Sequence, residues 1–255
     1  MNLPTHEKVV GMRVDATTFD QVIDDVLRWS TNSESRYVCV ANVHMAMEAH
    51  DDRSFRSLVD AADIVTPDGM PLVWMLRKLG RKDQPRVNGP ELMLRLSKAC
   101  AEQNVPIGLI GGKPDVLQDL AKNLNSQFPE LKIVYKFSPP FRTLTTEEEA
   151  EIARQVQDSG AKVLFVGLGC PKQERWMASK RGKVPAVMLG VGAAFDIHAG
   201  RTREAPRLWQ KCGMEWFYRL LTEPKRLWKR YFKHNPRFMA MAIWQLLFKR
   251  RIERS

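Results

Sequence analysis

Short, nearly uninterrupted apolar runs alternate along the chain with longer stretches whose apolar positions recur every three to four residues. The runs are Tyr37 to Val40, Ala61 to Thr66, Pro106 to Ile110, Lys132 to Tyr135, Lys162 to Val166 and Ala186 to Val191. Runs without polar alternation suit strands buried on both faces, the environment of a parallel sheet. Helical spacing fills Phe19 to Trp29, Ala46 to Ala62, Pro71 to Leu79, Pro90 to Gln103, Pro114 to Gln127 and Thr146 to Ser159. This order predicts an α/β fold with a Rossmann-like, mostly parallel, doubly wound sheet. In such sheets ligands sit beyond the carboxyl ends of the strands, so the residues after each run are the candidates for function.

Four of those segments are unusual. Pro67-Asp68-Gly69-Met70-Pro71 puts a carboxylate in a tight turn before a helix, where it could also serve as a cap. Gly111-Gly112-Lys113-Pro114 lets backbone N–H groups approach a phosphate, although paired glycines are also ordinary turn chemistry. In Gly167-Leu168-Gly169-Cys170-Pro171-Lys172-Gln173-Glu174 the proline is placed to open a helix, and Lys172 and Gln173 stand beside Gly167 and Gly169 as candidates for a diphosphate or sugar. Gly192-Ala193-Ala194-Phe195-Asp196 offers small residues against which a ligand can lie.

Charge divides the chain. Residues 201–255 contain 15 Lys and Arg against four Asp and Glu and hold the entire excess of +11. A neutral α/β body, 1–200, is therefore expected to carry a basic helical appendage, 201–255, that seeks a negative partner. Within the appendage Trp216, Phe217, Leu220, Leu221, Leu227, Trp228, Tyr231 and Phe232 interleave with Arg219, Lys225, Arg226, Lys229, Arg230 and Lys233. Basic amphipathic helices with boundary tryptophans lie on anionic membrane surfaces, while the same apolar residues would also suit a core or a subunit interface. Asn235-Pro236 is expected to break the helix ahead of the apolar run Phe238 to Phe248, which ends in Lys249-Arg250-Arg251. That run is too short for a spanning helix, which needs about 20 residues.

No leader of signal-peptide type opens the sequence, and Cys39, Cys100, Cys170 and Cys212 form no CxxC pair. The expectation is a reducing, cytoplasmic setting at the inner face of the membrane. No DxD pair occurs and His44, His50 and His198 are scattered, so neither a metal nor a cofactor is expected. The missing final glycine of a GxGxxG pattern argues against a dehydrogenase, and no nucleic-acid motif accompanies the basic residues.

TPDG (Thr66 to Gly69), RVNG (Arg86 to Gly89), Gly111 to Lys113, GLGCPKQE (Gly167 to Glu174), GVGAAFDIHAG (Gly190 to Gly200), REAP (Arg203 to Pro206) and GMEWFYRLLTEPKRLWKRY (Gly213 to Tyr231) occur in that order. Through them the chain resembles the WecG/TagA/CpsF glycosyltransferases from about Val9 to Pro236. The resemblance implies an inverting transfer from a UDP-sugar to an undecaprenyl-diphosphate-linked sugar in cell-surface polysaccharide synthesis, and the lack of a DxD pair fits a metal-independent mechanism. It implies Asp68 as general base, Asn42 near the donor sugar, Arg86 at the nucleotide-sugar or its leaving diphosphate, and Lys172 and Gln173 at the donor pocket. Gly111, Gly112, Gly167, Gly169, Gly192 and Asp196 would line the substrate, and Arg219 and Arg226 would reach its diphosphates. Many relatives carry Thr-x-Asn where Val40-Ala41-Asn42 stands here, which leaves N-acetylmannosamine, its uronic acid and glucose open as donor sugars. Self-association is likewise open.

Overall fold

The apolar runs lie side by side through the middle of the molecule. A computed structural model describes residues 5–140, 142 and 144–252, without the side chains of Lys211 and of residues 249–252. The basic group Lys249-Arg250-Arg251 thus lies outside the described side chains.

The chain opens with an antiparallel hairpin, β1 (His6–Val9) and β2 (Met12–Asp15), then α1 (Phe19–Thr31), β3 (Arg36–Ala41), α2 (Val43–Asp51), α3 (Arg53–Asp60) and β4 (Ile64–Pro67). It continues through α4 (Met70–Lys78), α5 (Gly89–Glu102), β5 (Ile107–Gly111), α6 (Pro114–Gln127), β6 (Ile133–Phe137) and α7 (Thr146–Ser159). The remaining elements are β7 (Val163–Gly167), α8 (Lys172–Lys180), β8 (Val187–Gly190), α9 (Ala194–His198), α10 (Arg207–Lys211), α11 (Glu215–Thr222) and α12 (Pro224–Ile252). Six strands form one parallel sheet in the order β4-β3-β8-β7-β5-β6.

Alternate residues of each strand enter opposite cores. Tyr37, Cys39 and Ala41 pack with the α2, α3 and α4 side, whereas Val38 and Val40 join the α1, α5 and α6 side. Both faces are covered, which is why the strands read as continuous apolar runs. The exposed edge of β4 is managed by the hairpin: Val65 N–H donates to Asp15 Oδ2 at 2.8 Å, and Arg13 Nε holds the other oxygen at 2.8 Å.

Two expectations for the helices are corrected. The stretch Ala46 to Ala62 is two helices rather than one, because Asp52 ends α2 and its carboxylate accepts from Ser54 N–H (2.8 Å) and Phe55 N–H to start α3. Asn235-Pro236 does not break the tail, since α12 runs through Pro236. An internal proline costs about 3 kcal/mol, but here packing on both sides of it holds the helix together. Leu227 and His234 before it, and Phe238 and Ala242 after it, are buried, and Arg237 pairs with Asp51 of α2. Farther along, the Gln245 amide accepts from Val10 N–H (2.8 Å) and donates to the Lys8 carbonyl (2.6 Å).

Phe238, fully buried, should destabilise the fold by about 3–5 kcal/mol when changed to Ala. Phe232→Ala, at a side chain 75% exposed, should change stability by no more than about 0.5 kcal/mol. Urea unfolding that ranked the two alike would contradict this placement of α12.

Candidate active site

Parallel register brings the ends of β3 and β4 together. Ala41 pairs with Pro67, so Asn42 and Asp68 follow side by side where the strands stop. The Ala41 carbonyl accepts from Asp68 N–H at 2.8 Å and from Gly69 N–H at 3.2 Å, fixing the turn. Gly69 fits closely there, since a Cβ would lie 3.3 Å from the Asn42 backbone. Asn42 caps α2 through Oδ1 to Met45 N–H at 3.2 Å, which leaves its NH2 donors as its remaining hydrogen-bonding capacity. Asp68 caps nothing: Gly69 stands at the N-cap of α4, and the carboxylate turns instead to Arg86.

Arg86 is delivered by main chain. Val87 N–H donates to the Pro67 carbonyl at 3.0 Å, and Thr66 Oγ1 donates to the Val87 carbonyl at 3.2 Å. The guanidinium then meets the Asp68 carbonyl at 2.5 Å, the Asp68 carboxylate at 3.0 Å and Glu215 of α11 at 2.7 Å. Burial raises the Asp68 pKa above its ordinary value, with Arg86 opposing and Glu215 reinforcing that shift. Burial also works against the Arg86 charge, but the two carboxylates hold its pKa above the usual value.

These groups face a cavity of about 300 Å³ between the strand ends and the appendage. Asn42, His44, Asp68, Trp74 and Arg86 line it from the body, and Glu215, Trp216, Arg219, Arg230 and His234 line it from the appendage. Gly213, with φ of +71°, seats the appendage directly on α4, its Cβ position being 2.5 Å from the Trp74 ring. Three arginines against two carboxylates give the cavity a balance suited to an anion.

Residues 7–252 match the profile of the glycosyl transferase WecG/TagA/CpsF family. The chain belongs to that family. It is a glycosyltransferase of the kind that serves cell-surface polysaccharide synthesis, and it acts between a sugar donor and an acceptor.

Of the residues singled out in the sequence, this glycosyltransferase gathers Asn42, Asp68, Arg86 and Arg219 around the cavity. Arg226 does not line it and pairs with Glu223 instead, while Arg230, one helical turn on, does. Gly111, Gly112, Gly167, Gly169, Lys172, Gln173, Gly192 and Asp196 lie outside the cavity lining, at and beyond the carboxyl ends of β5, β7 and β8. Some have packing reasons of their own: a Cβ on Gly111 would lie 2.5 Å from the Gly167 backbone, and one on Gly167 would lie 2.7 Å from the Phe195 ring. Gln173 is buried, accepts from Gly169 N–H at 3.1 Å and donates to Glu174 at 2.7 Å, whereas Lys172 is exposed. Val40 is buried beneath Gly89 rather than in the cavity.

Glu215 and His234 escaped the sequence reading, and Arg230 was read only as part of the basic helix face, because only the folding of the appendage over the strand ends brings them to the cavity. His44, Glu48 and His234 lie close enough to hold a metal ion. His50 is exposed, and His198 is engaged with the Pro90 carbonyl at 2.9 Å.

Glu174 is fully buried and its Oε2 lacks a partner. Burial lifts its pKa from 4.5 to about 7, with hydrogen bonds from Gln173 and Cys170 opposing. Between those values the folded chain keeps a proton that the unfolded chain has lost, so its contribution to stability declines as pH rises through this window and is level above it. Glu174→Gln should therefore gain on the native protein between about pH 5 and pH 8, by on the order of 3 kcal/mol at most. Thermal unfolding at several pH values tests this; a constant difference would refute the assignment.

Proposed function

We propose that the protein transfers a sugar, with inversion, from a UDP-sugar to a polyprenyl-diphosphate-linked sugar held at the cytoplasmic membrane surface. The acceptor hydroxyl gives its proton to Asp68 as its oxygen attacks the anomeric carbon, and the bond to UDP breaks with its electron pair on the leaving diphosphate. The observation that carries this reading is Asp68 opening on a cavity of about 300 Å³ beside Asn42, Arg86 and Arg219, in a chain of glycosyltransferase family. Arg86, Arg219 and Arg230 would offset the charge on the diphosphates without a metal, through bidentate contacts. When Arg86 turns to a diphosphate, Asp68 loses its counter-ion and becomes a stronger base. The Asn42 amide would hydrogen-bond sugar hydroxyls. The nucleotide would extend along the strand ends toward Gly111, Gly112, Gly167, Gly169, Lys172, Gln173, Gly192 and Asp196. N-acetylmannosamine, its uronic acid and glucose are the donor sugars to be screened.

Membrane attachment is part of the same proposal. No helix among the described residues is long and apolar enough to cross a membrane. Trp228, Phe232, Met239, Ile243 and Leu247 are all exposed and recur at spacings of four and seven, which places them on one stripe of α12. Lys225, Arg226, Lys229 and Lys233 accompany that stripe. Each cation near an anionic surface contributes roughly 1 kcal/mol, enough together for reversible attachment.

Asp68→Asn should lower turnover about 10²–10⁴-fold with UDP binding kept, measured with UDP-sugars and a short-chain polyprenyl-diphosphate sugar. Unimpaired turnover would remove Asp68 as the base. Replacing Trp228, Phe232 and Ile243 together by Ser should abolish cosedimentation with anionic vesicles, and undiminished binding would refute the stripe as the attachment surface.

A further inference from the structure

Beside the proposed base, the cavity holds a second constellation that sugar transfer does not use. His44 and Glu48 stand four residues apart on α2 and so share a face, and α12 lays His234 against them. Glu48 Oε1 is 3.8 Å from His44 Nδ1 and 3.6 Å from His234 Nε2, and the imidazole centroids are 5.1 Å apart. These separations are too long for hydrogen bonds, so the groups converge without satisfying one another. One ligand atom from each lies within 4.8 Å of the others. A tetrahedral ion with bonds of about 2.1 Å would hold such atoms about 3.4 Å apart, a small contraction.

The polar groups are also left unpaired. His234 is 3% exposed, and Nδ1 of His44, the nitrogen that faces Glu48, is buried without a hydrogen-bond partner. Orphaned buried nitrogens are uncommon and call for a reason. An ordinary hydrogen-bonded imidazole–carboxylate pair does not account for it, since neither ring nitrogen comes within hydrogen-bond range of Glu48. Of the nearby cations, Asp51 engages Arg237 at 2.9 Å and Lys233 at 3.8 Å, whereas Arg230, which lines the same cavity, opposes a divalent ion.

We infer that His44, Glu48 and His234 form a divalent transition-metal site of the zinc class, which staples α12 to the catalytic body. Two imidazoles and a carboxylate select such an ion over magnesium or calcium. Three protein ligands leave a fourth position open, which a water molecule would complete. Cysteine spacing was silent on this site because its ligands are not thiolates. The site is independent of the sugar-transfer reading and is tested by binding alone.

Full-length protein stripped with a chelator and desalted should take up one equivalent of Zn²⁺, in competition with a chromophoric chelator, and no Mg²⁺. His234→Ala and Glu48→Gln should each weaken Zn²⁺ binding by at least about tenfold, with circular dichroism unchanged, whereas the exposed His50→Ala should leave it intact. No saturable Zn²⁺ binding, or binding that both ligand variants retain, would overturn the site. If those variants fail to fold, the native protein loaded with Co²⁺ decides: intense visible bands of a low-coordinate ion support the site, and the weak spectrum of the hydrated ion overturns it.

Discussion

One main-chain oxygen, the carbonyl of Ala41, sets the geometry of the candidate site. It receives Asp68 N–H and Gly69 N–H and so locks the end of β4 against the end of β3. The neighbouring Pro67 carbonyl takes Val87 N–H, and Arg86 is thereby suspended over the same turn. Carboxylate, amide and guanidinium are all placed by backbone hydrogen bonds of a rigid sheet rather than by mobile loops. A peptide group has few ways to satisfy itself once buried, so this arrangement is well determined. The appendage joins it through Glu215, the second carboxylate on Arg86.

How much of this could be read from the chain depends on the range of the forces involved. Five strands of the parallel sheet were legible because burial on both faces leaves an apolar run, the edge strand β6 being only half-buried, and α6, Pro114–Gln127, was legible because a proline start and a long apolar period agree. The hairpin was not: His6–Val9 and Met12–Asp15 are short and largely polar, and their task is to guard the β4 edge with Asp15. The Asp52 break was hidden because apolar spacing continues across it. Pro236 misled because local propensity opposes the helix while Phe238 and Ala242, packed on the body, favour it. Tertiary packing overrode propensity at that point.

The candidate site divides along the same line. Asp68, Asn42 and Arg86 follow strands or precede a helix, positions where sequence pattern alone directs attention. Arg230 and His234 are unremarkable members of a basic helix until α12 is folded against α2. Arg226 and Arg230 are neighbours one turn apart, and only the fold of α12 shows that Arg230 lines the cavity while Arg226 pairs with Glu223. The aromatic residues divide similarly: Leu227 and Phe238 belong to the core, whereas Trp228 and Phe232 face outward.

Gln245 shows how one side chain can finish a sheet. Its amide presents an acceptor to Val10 N–H and a donor to the Lys8 carbonyl, the pattern that a peptide unit of an adjoining strand would offer. The outer rim of the hairpin is thus closed by an impostor peptide and withdrawn from pairing with another chain. Since both partners are main-chain groups, this closure does not depend on the side chains of β1, while position 245 must keep a planar group that gives and takes at once.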